Sequence, residues 1–205
     1  MGRDERRAEL AVDFEPVFDG DEWIGWHATA TDRTQLRELE EVASTALVDP
    51  LTGLANRAMF ENSLARVLAR RGSHHAAVLF VDLDGFKAVN DHGGHAAGDD
   101  VLRRVASRIQ NALRPADLVA RYGGDEFIVL LEEVELDYAV EIGERLVEAF
   151  RQPVEHGSGL ADVGVSIGVA MTRLDDDVDT IVARADEAMY VAKEAGGMQV
   201  RESDP

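Results

Sequence analysis

Two groups of acidic residues in this chain are placed where phosphoryl chemistry could be done. Asp82 and Asp84 end the run AAVLFVDLD (76–84), in which Ala77 to Val81 are all apolar. Asp125 and Glu126 follow directly on Gly123-Gly124 in LVARYGGDEFIVLL (118–131), which reads as two strands around a tight turn. If the strands are neighbours, the turn and the strand end bring these carboxylates together. Clustered carboxylates repel one another, and hard divalent cations bound through oxygen relieve that repulsion. Two such cations a few ångström apart activate an attacking hydroxyl and steady a displaced phosphate oxygen. The same acids would also serve as solvated strand ends and a polar turn, and spacing alone leaves both readings open.

The elements that must position these acids begin at Asp49, where helices and strands start to alternate. Pro50 and Gly53 break the preceding helix. Phe60, Leu64, Val67 and Leu68 mark one face of a helix. A longer helix carries Val101, Leu102, Val105 and Ile109, and another carries Ala139, Ile142, Leu146 and Ala149. In residues 163–171, bulky Val163, Val165, Ile167, Val169 and Met171 alternate with Gly164, Ser166, Gly168 and Ala170. That strand has one nearly bare face, on which a helix or another backbone should pack closely. A last helix runs to about Ala195. The pattern predicts an α/β class, a sheet with helices on its faces.

Ahead of Asp49, residues 10–30 read as two short strands around Asp19-Gly20-Asp21, with Trp23 and Trp26 in the second. From about Thr34 to Val48 the chain reads as a helix with Leu36, Leu39, Ala43 and Ala46 at heptad-like spacing. Two heptads do not separate a coiled coil from a helix docked on its own domain.

Composition narrows the functions. The 205 residues carry a net charge of −19, which argues against nucleic acid as a partner. A nucleotide stays open, because divalent cations can stand between carboxylates and phosphates. Without cysteine there are no disulfides and no thiolate metal sites. The N-terminus MGRDERRAEL is charged and no run approaches a membrane span, so a cytoplasmic protein without membrane contact is expected.

RYGGDEF (121–127) carries the signature of the GGDEF family of diguanylate cyclases. DPLTGLANR (49–57), VDLDGFKAVND (81–91), GHAAGDDVL (94–102) and SIGVA (166–170) follow that family's other motifs in order. The resemblance covers about Asp49 to Arg201. It implies a central, mainly antiparallel sheet flanked by helices, related to nucleotidyl cyclase and polymerase palm folds. It implies a homodimer in which the 3′-hydroxyl of one GTP attacks the α-phosphate of another, giving cyclic di-GMP. Carried over to this sequence, Asp82 resembles a side-chain metal ligand and Leu83 a backbone one. Asp125 resembles a further ligand, and Glu126 a ligand or the base that takes the hydroxyl proton, with Mg²⁺ or Mn²⁺ as cofactor. Lys87 resembles the lysine that meets phosphate charge. Asn90 and Asp99 resemble the pair that reads the guanine edge, and Gly123 and Gly124 the turn that lets backbone approach substrate.

Arg114 and Asp117 form RPAD five residues before the Gly pair, and resemble the family's RxxD product-binding inhibitory site, completed by Arg145. Read by themselves, Arg114 could be a helix C-terminal cation and Asp117 a loop acid. Lys193 is kept where the family places a substrate-binding lysine. Gly197 and Met198 replace the basic residue and Asn that usually follow, so weaker GTP binding is expected, with Gly197→Arg restoring it. His92 and His95 read as loop residues, His74 and His75 as turn residues, and Tyr122 as packing. WIGWHATATDRTQLRELEE resembles the end of a PAS-type sensor running into its output helix. The implied organisation is a PAS-like remnant over 1–31, a linker helix over 32–48 and the cyclase domain over 49–205. The rival expectations are a cyclase-like receptor for cyclic di-GMP or GTP and a structural dimerisation domain. No EAL-type phosphodiesterase motif is present in the sequence.

Overall fold

The computed structural model describes residues 10–32, 47–70, 75–157 and 159–204. The chain divides into two units, Met1–Ala46 and Leu47–Pro205. In the first, β1 (Leu10–Asp19) and β2 (Glu22–Asp32) pair antiparallel, as the sequence predicts. Gly20 turns the chain with φ of 59°. A register shift between Val17 and Phe18 lets Trp23 and Trp26 meet edge to face, 6.5 Å between ring centroids.

The expected linker helix falls largely outside the described residues. Its last two positions are corrected: Leu47 lies in a turn and Val48 bridges to Ala55. The reason is Asp49, whose carboxylate accepts from the Thr52 backbone N–H at 2.8 Å and the Thr52 hydroxyl at 2.6 Å. This side-chain turn competes with helix and folds the chain back one residue after Val48.

The second unit continues through β3 (Ala55–Asn56), α1 (Arg57–Leu68), β4 (Ala77–Asp84) and α2 (Phe86–Asn111). Next come β5 (Leu118–Gly123), β6 (Glu126–Leu131) and α3 (Leu136–Ala149), then the small hairpin β7 (Val154–His156) and β8 (Gly159–Ala161). It closes with β9 (Gly164–Met171), α4 (Val178–Glu194) and β10 (Gln199–Glu202). The main sheet runs β10-β9-β4-β6-β5-β3. β10 with β9 and β3 with β5 are parallel, and the three central pairings are antiparallel.

Strand alternation assigns each face of β4 its own core. Ala77, Leu79, Val81 and Leu83 pack with Val101, Val105 and Ile109 of α2 and Ile142 and Leu146 of α3. Val78 and Phe80 pack with Phe60 and Leu64 of α1 and Ile181 and Ala185 of α4. The bare face of β9 is where α4 docks. A Cβ on Gly168 would lie 1.9 Å from the Ala185 carbonyl oxygen and 2.2 Å from the Met189 nitrogen, so backbone meets backbone there. Helix α2 is kinked at Gly94 (φ 72°, ψ 174°). His92 and His95 stand on either side of this non-helical break, where two helical segments meet. Tyr122 packs as expected, edge to face with Phe60 and Phe80.

Candidate active site

The central strand delivers the site. Asp82 is directly opposite Glu126 on β6 and Ser166 on β9, on the sheet face covered by α1 and α4. It is 8 % exposed, and Lys193 in the last turn of α4 donates to its Oδ1 at 2.5 Å. A helix C-terminus favours a cation, so α4 itself helps hold the ammonium there. Burial pushes the Asp82 carboxyl above its ordinary value, the Lys193 contact opposes this, and the charges of Asp125 and Asp84 add to it. Burial also raises Glu126, reinforced by Asp82, Asp186 and Asp125. For Lys193 burial works against the charged form, but the bond to Asp82 and the surrounding acids prevail and its pKa is raised.

The Gly-Gly turn is anchored from both sides. The Asp125 carbonyl accepts from the Leu83 N–H at 3.3 Å, joining the turn to the end of β4. Gly124 adopts φ of 50°, which favours glycine. Arg121 donates to the Gly124 carbonyl at 3.0 and 2.7 Å and to the Asp49 carboxylate at 3.4 and 3.3 Å. Burial disfavours the Asp49 carboxylate, yet its bonds to Thr52 and Arg121 hold its pKa below the usual value. DPLTGLANR and RYGGDEF are thus two parts of one construction.

The two acids that end β4 have separate duties. Asp84 accepts from the Ser166 hydroxyl at 2.8 and 3.0 Å and from the Met198 N–H at 3.0 Å. It fastens the turn after α4 onto the sheet. This arrangement sets the cost that Gly197→Arg would have to overcome. Gly197 has φ of 71°, and a Cβ there would fall 2.6 Å from an Asp84 oxygen already committed to hydrogen bonds. An arginine at 197 is strained before it can reach a phosphate.

Lys87 is exposed in the first turn of α2, after Gly85, a left-handed N-cap with no side-chain capping bond. Asn90 lies against Gly98, where a Cβ would come 2.1 Å from Asn90 Oδ1, so this glycine makes the room that sets Asn90 beside the Asp99 segment. At the far end of α2, Asp117 Oδ2 accepts from the Arg114 backbone N–H at 2.8 Å. The Arg114 guanidinium lies over the Tyr138 ring. It is Arg145, not Arg114, that serves as the cation at the α2 C-terminus, donating to the Ala112 carbonyl. The three sequence-predicted residues of this second site therefore converge on the α2–β5 connection.

Sequence reasoning missed Asp186 and Ser166. Asp186 stands seven residues before Lys193, hence on the same face of α4, and its charge acts on Glu126. That spacing was the signal. Among the described residues no three acidic or histidine side chains form a ready metal cage. Mg²⁺ in phosphoryl sites, however, commonly takes one or two carboxylates and completes its shell with water and substrate phosphates. Asp82, Asp125, Glu126 and the Leu83 carbonyl are hard oxygen donors of that kind, mutually repelling, and fit such an ion.

A palm-like α/β sheet with carboxylates at the end of its central strand and a glycine turn beside them defines the class. The chain belongs to the GGDEF family: the family model described as diguanylate cyclase, GGDEF domain, matches residues 46–199. Diguanylate cyclase TpbB of Pseudomonas aeruginosa is 40% identical over 192 residues, covering 91% of this chain and 42% of TpbB. Response regulator PleD of Caulobacter vibrioides is 38% identical over 164 residues, 77% of this chain and 36% of PleD. The chain thus spans about two-fifths of the length of these curated relatives. The coiled coil and GGDEF domain of DgcB from Caulobacter crescentus, solved in complex with c-di-GMP, superposes with TM-score 0.76 at 34% identity, covering 82% of this chain and 92% of that one. The isolated GGDEF domain of TpbB gives TM-score 0.72 at 40% identity, with 77% and 94% covered. Among the described residues no helix is long and apolar enough to cross a membrane.

Proposed function

We propose that this chain is a diguanylate cyclase that condenses two GTP into cyclic di-GMP with release of two pyrophosphates. The observation that carries the reading is the pairing of Asp82 with Glu126 across β4 and β6, with Lys193 above and the uncapped start of α2 alongside. Bound Mg²⁺ or Mn²⁺, held by Asp82, Asp125, Glu126 and the Leu83 carbonyl, would supply Lewis acidity at the phosphates. Glu126, its carboxylate made more basic by burial and neighbouring acids, takes the proton of the attacking 3′-hydroxyl. The hydroxyl oxygen bonds to the α-phosphorus of the other GTP, the bond to the β-phosphate oxygen breaks, and the electron pair leaves with pyrophosphate. The same exchange in the opposite sense closes the ring. Lys87, Lys193 and N–H groups at the start of α2 meet the triphosphate. Asn90 and Asp99 address guanine, and Gly123-Gly124 leaves space for backbone approach.

Each subunit supplies one GTP, so catalysis takes place in a homodimer, in the cytoplasm where GTP is available. Product returns to Arg114, Asp117 and Arg145 and inhibits. The domain organisation expected from the sequence, with PAS-like residues and a linker helix ahead of the cyclase, belongs to the same proposal. A second reading, a receptor without turnover, is favoured by Gly197-Met198 in place of a cation.

Incubation with GTP and Mg²⁺, with nucleotides separated by chromatography, decides between them. Cyclic di-GMP that accumulates and then stalls supports the cyclase. Binding of cyclic di-GMP with no turnover at any protein concentration would replace it with the receptor.

A further inference from the structure

The Arg114 side chain is held by a ring that lies outside the signature motifs. Its guanidinium carbon is 4.3 Å from the centroid of Tyr138. Tyr138 is half-buried in the first turn of α3 and packs against the core. Seven residues later, on the same face of α3, Arg145 donates to the Ala112 carbonyl at 3.0 and 2.5 Å. One stripe of α3 therefore holds the Ala112–Asp117 segment at two points. Among the described residues no carboxylate pairs with the Arg114 guanidinium; Asp117 Oδ2 is engaged by the Arg114 backbone instead.

Arg114 is exposed and its guanidinium sits over the Tyr138 ring, so the ring covers one side of the cation while its other side and its N–H donors stay open. The open face suits stacking by a purine base, and the donors suit a phosphodiester. A long exposed arginine loses rotamer freedom when it binds, and a ring that already restrains it lowers that cost. We infer that Tyr138 is a positioning residue of the product-binding site, the platform that presents Arg114 to a cyclic dinucleotide. The inference rests on the reading of Arg114, Asp117 and Arg145 as a product-binding site.

Calorimetric titration of the purified chain with cyclic di-GMP tests it, using Tyr138→Phe, Tyr138→Leu and Arg114→Ala beside the wild type. Thermal midpoints check that each variant is folded. The phenylalanine keeps the ring and should bind within about twofold of wild type, whereas the leucine keeps bulk alone and should bind roughly two- to fivefold more weakly. Arg114→Ala should lose binding at this site. If leucine binds like wild type while Arg114→Ala does not, the platform is wrong and the site stands. If phenylalanine falls with leucine, the hydroxyl rather than the ring matters and the inference is overturned. Unchanged binding by Arg114→Ala would remove the site reading itself, and the platform with it.

Discussion

A half-buried carboxylate among other carboxylates destabilises a fold while it stays ionised, and Glu126 is in that position. Its raised pKa means that the folded state binds its proton more tightly than the unfolded chain does. The stability this group contributes is therefore present at acid pH and is lost as pH rises through the raised value. Glu126→Gln, neutral at all pH, should raise the thermal midpoint in metal-free buffer at neutral pH and lose that advantage in acid. The same change should cut turnover by roughly 100-fold or more if Glu126 is the proposed proton acceptor. A midpoint that does not move, measured beside the rate, would contradict the electrostatic account. Lys193 belongs to the same balance. Its ammonium stands on Asp82, where the proposed cation must arrive. Lys193→Met should tighten Mn²⁺ binding in the absence of nucleotide and weaken GTP binding, both measurable by titration. Equal Mn²⁺ affinity in the two proteins would show that the ion pair does not compete with metal.

Elements decide how closely those residues meet, and here the contact of β9 with α4 is the most exacting. Gly168 leaves no space for a Cβ, because the obstructing atoms are the backbone of α4 rather than side-chain ends. Gly168→Ala should cost about 1–3 kcal/mol in chemical denaturation and displace Lys193 from Asp82; a stability change within error would mean that α4 shifts freely. This contact was legible in the sequence, since the bare Gly164-Ser166-Gly168-Ala170 face announced it. So were β4, the Gly-Gly hairpin and the helical stripes, because their apolar periods are long and regular. Strands β3, β7, β8 and β10 were not, at two to four residues each, because such short pieces carry no period. For the site, the motifs gave the residues but not their bonds. Asp82 and Asp84 look equivalent two positions apart on one strand, and partners 82 and 114 residues further on, Ser166 and Met198, make Asp84 a clamp. The role of Lys193 at Asp82 was hidden for the same reason: 111 residues separate them.

At the scale of the whole molecule, the proposed chemistry needs two chains to meet, and each carries a net charge of −19. Two bodies so charged repel at long range, and the repulsion is screened over about 10 Å at 0.1 M salt. The encounter should therefore be salt-dependent in a direction opposite to that of oppositely charged partners. At low ionic strength and low protein concentration the initial rate should rise more steeply than linearly with protein, because the fraction of paired chains rises too. Adding salt toward 0.15 M should raise the rate per chain and bring its dependence on protein closer to linear. Sedimentation velocity under the same conditions should show the dimer fraction rising in step. If salt weakens metal and triphosphate binding as well, the rate will pass through a maximum while the dimer fraction continues upward, so the two measurements together separate assembly from chemistry. A rate linear in protein throughout, from a chain that sediments as a monomer, would show that one molecule completes the reaction alone and would remove the two-subunit mechanism.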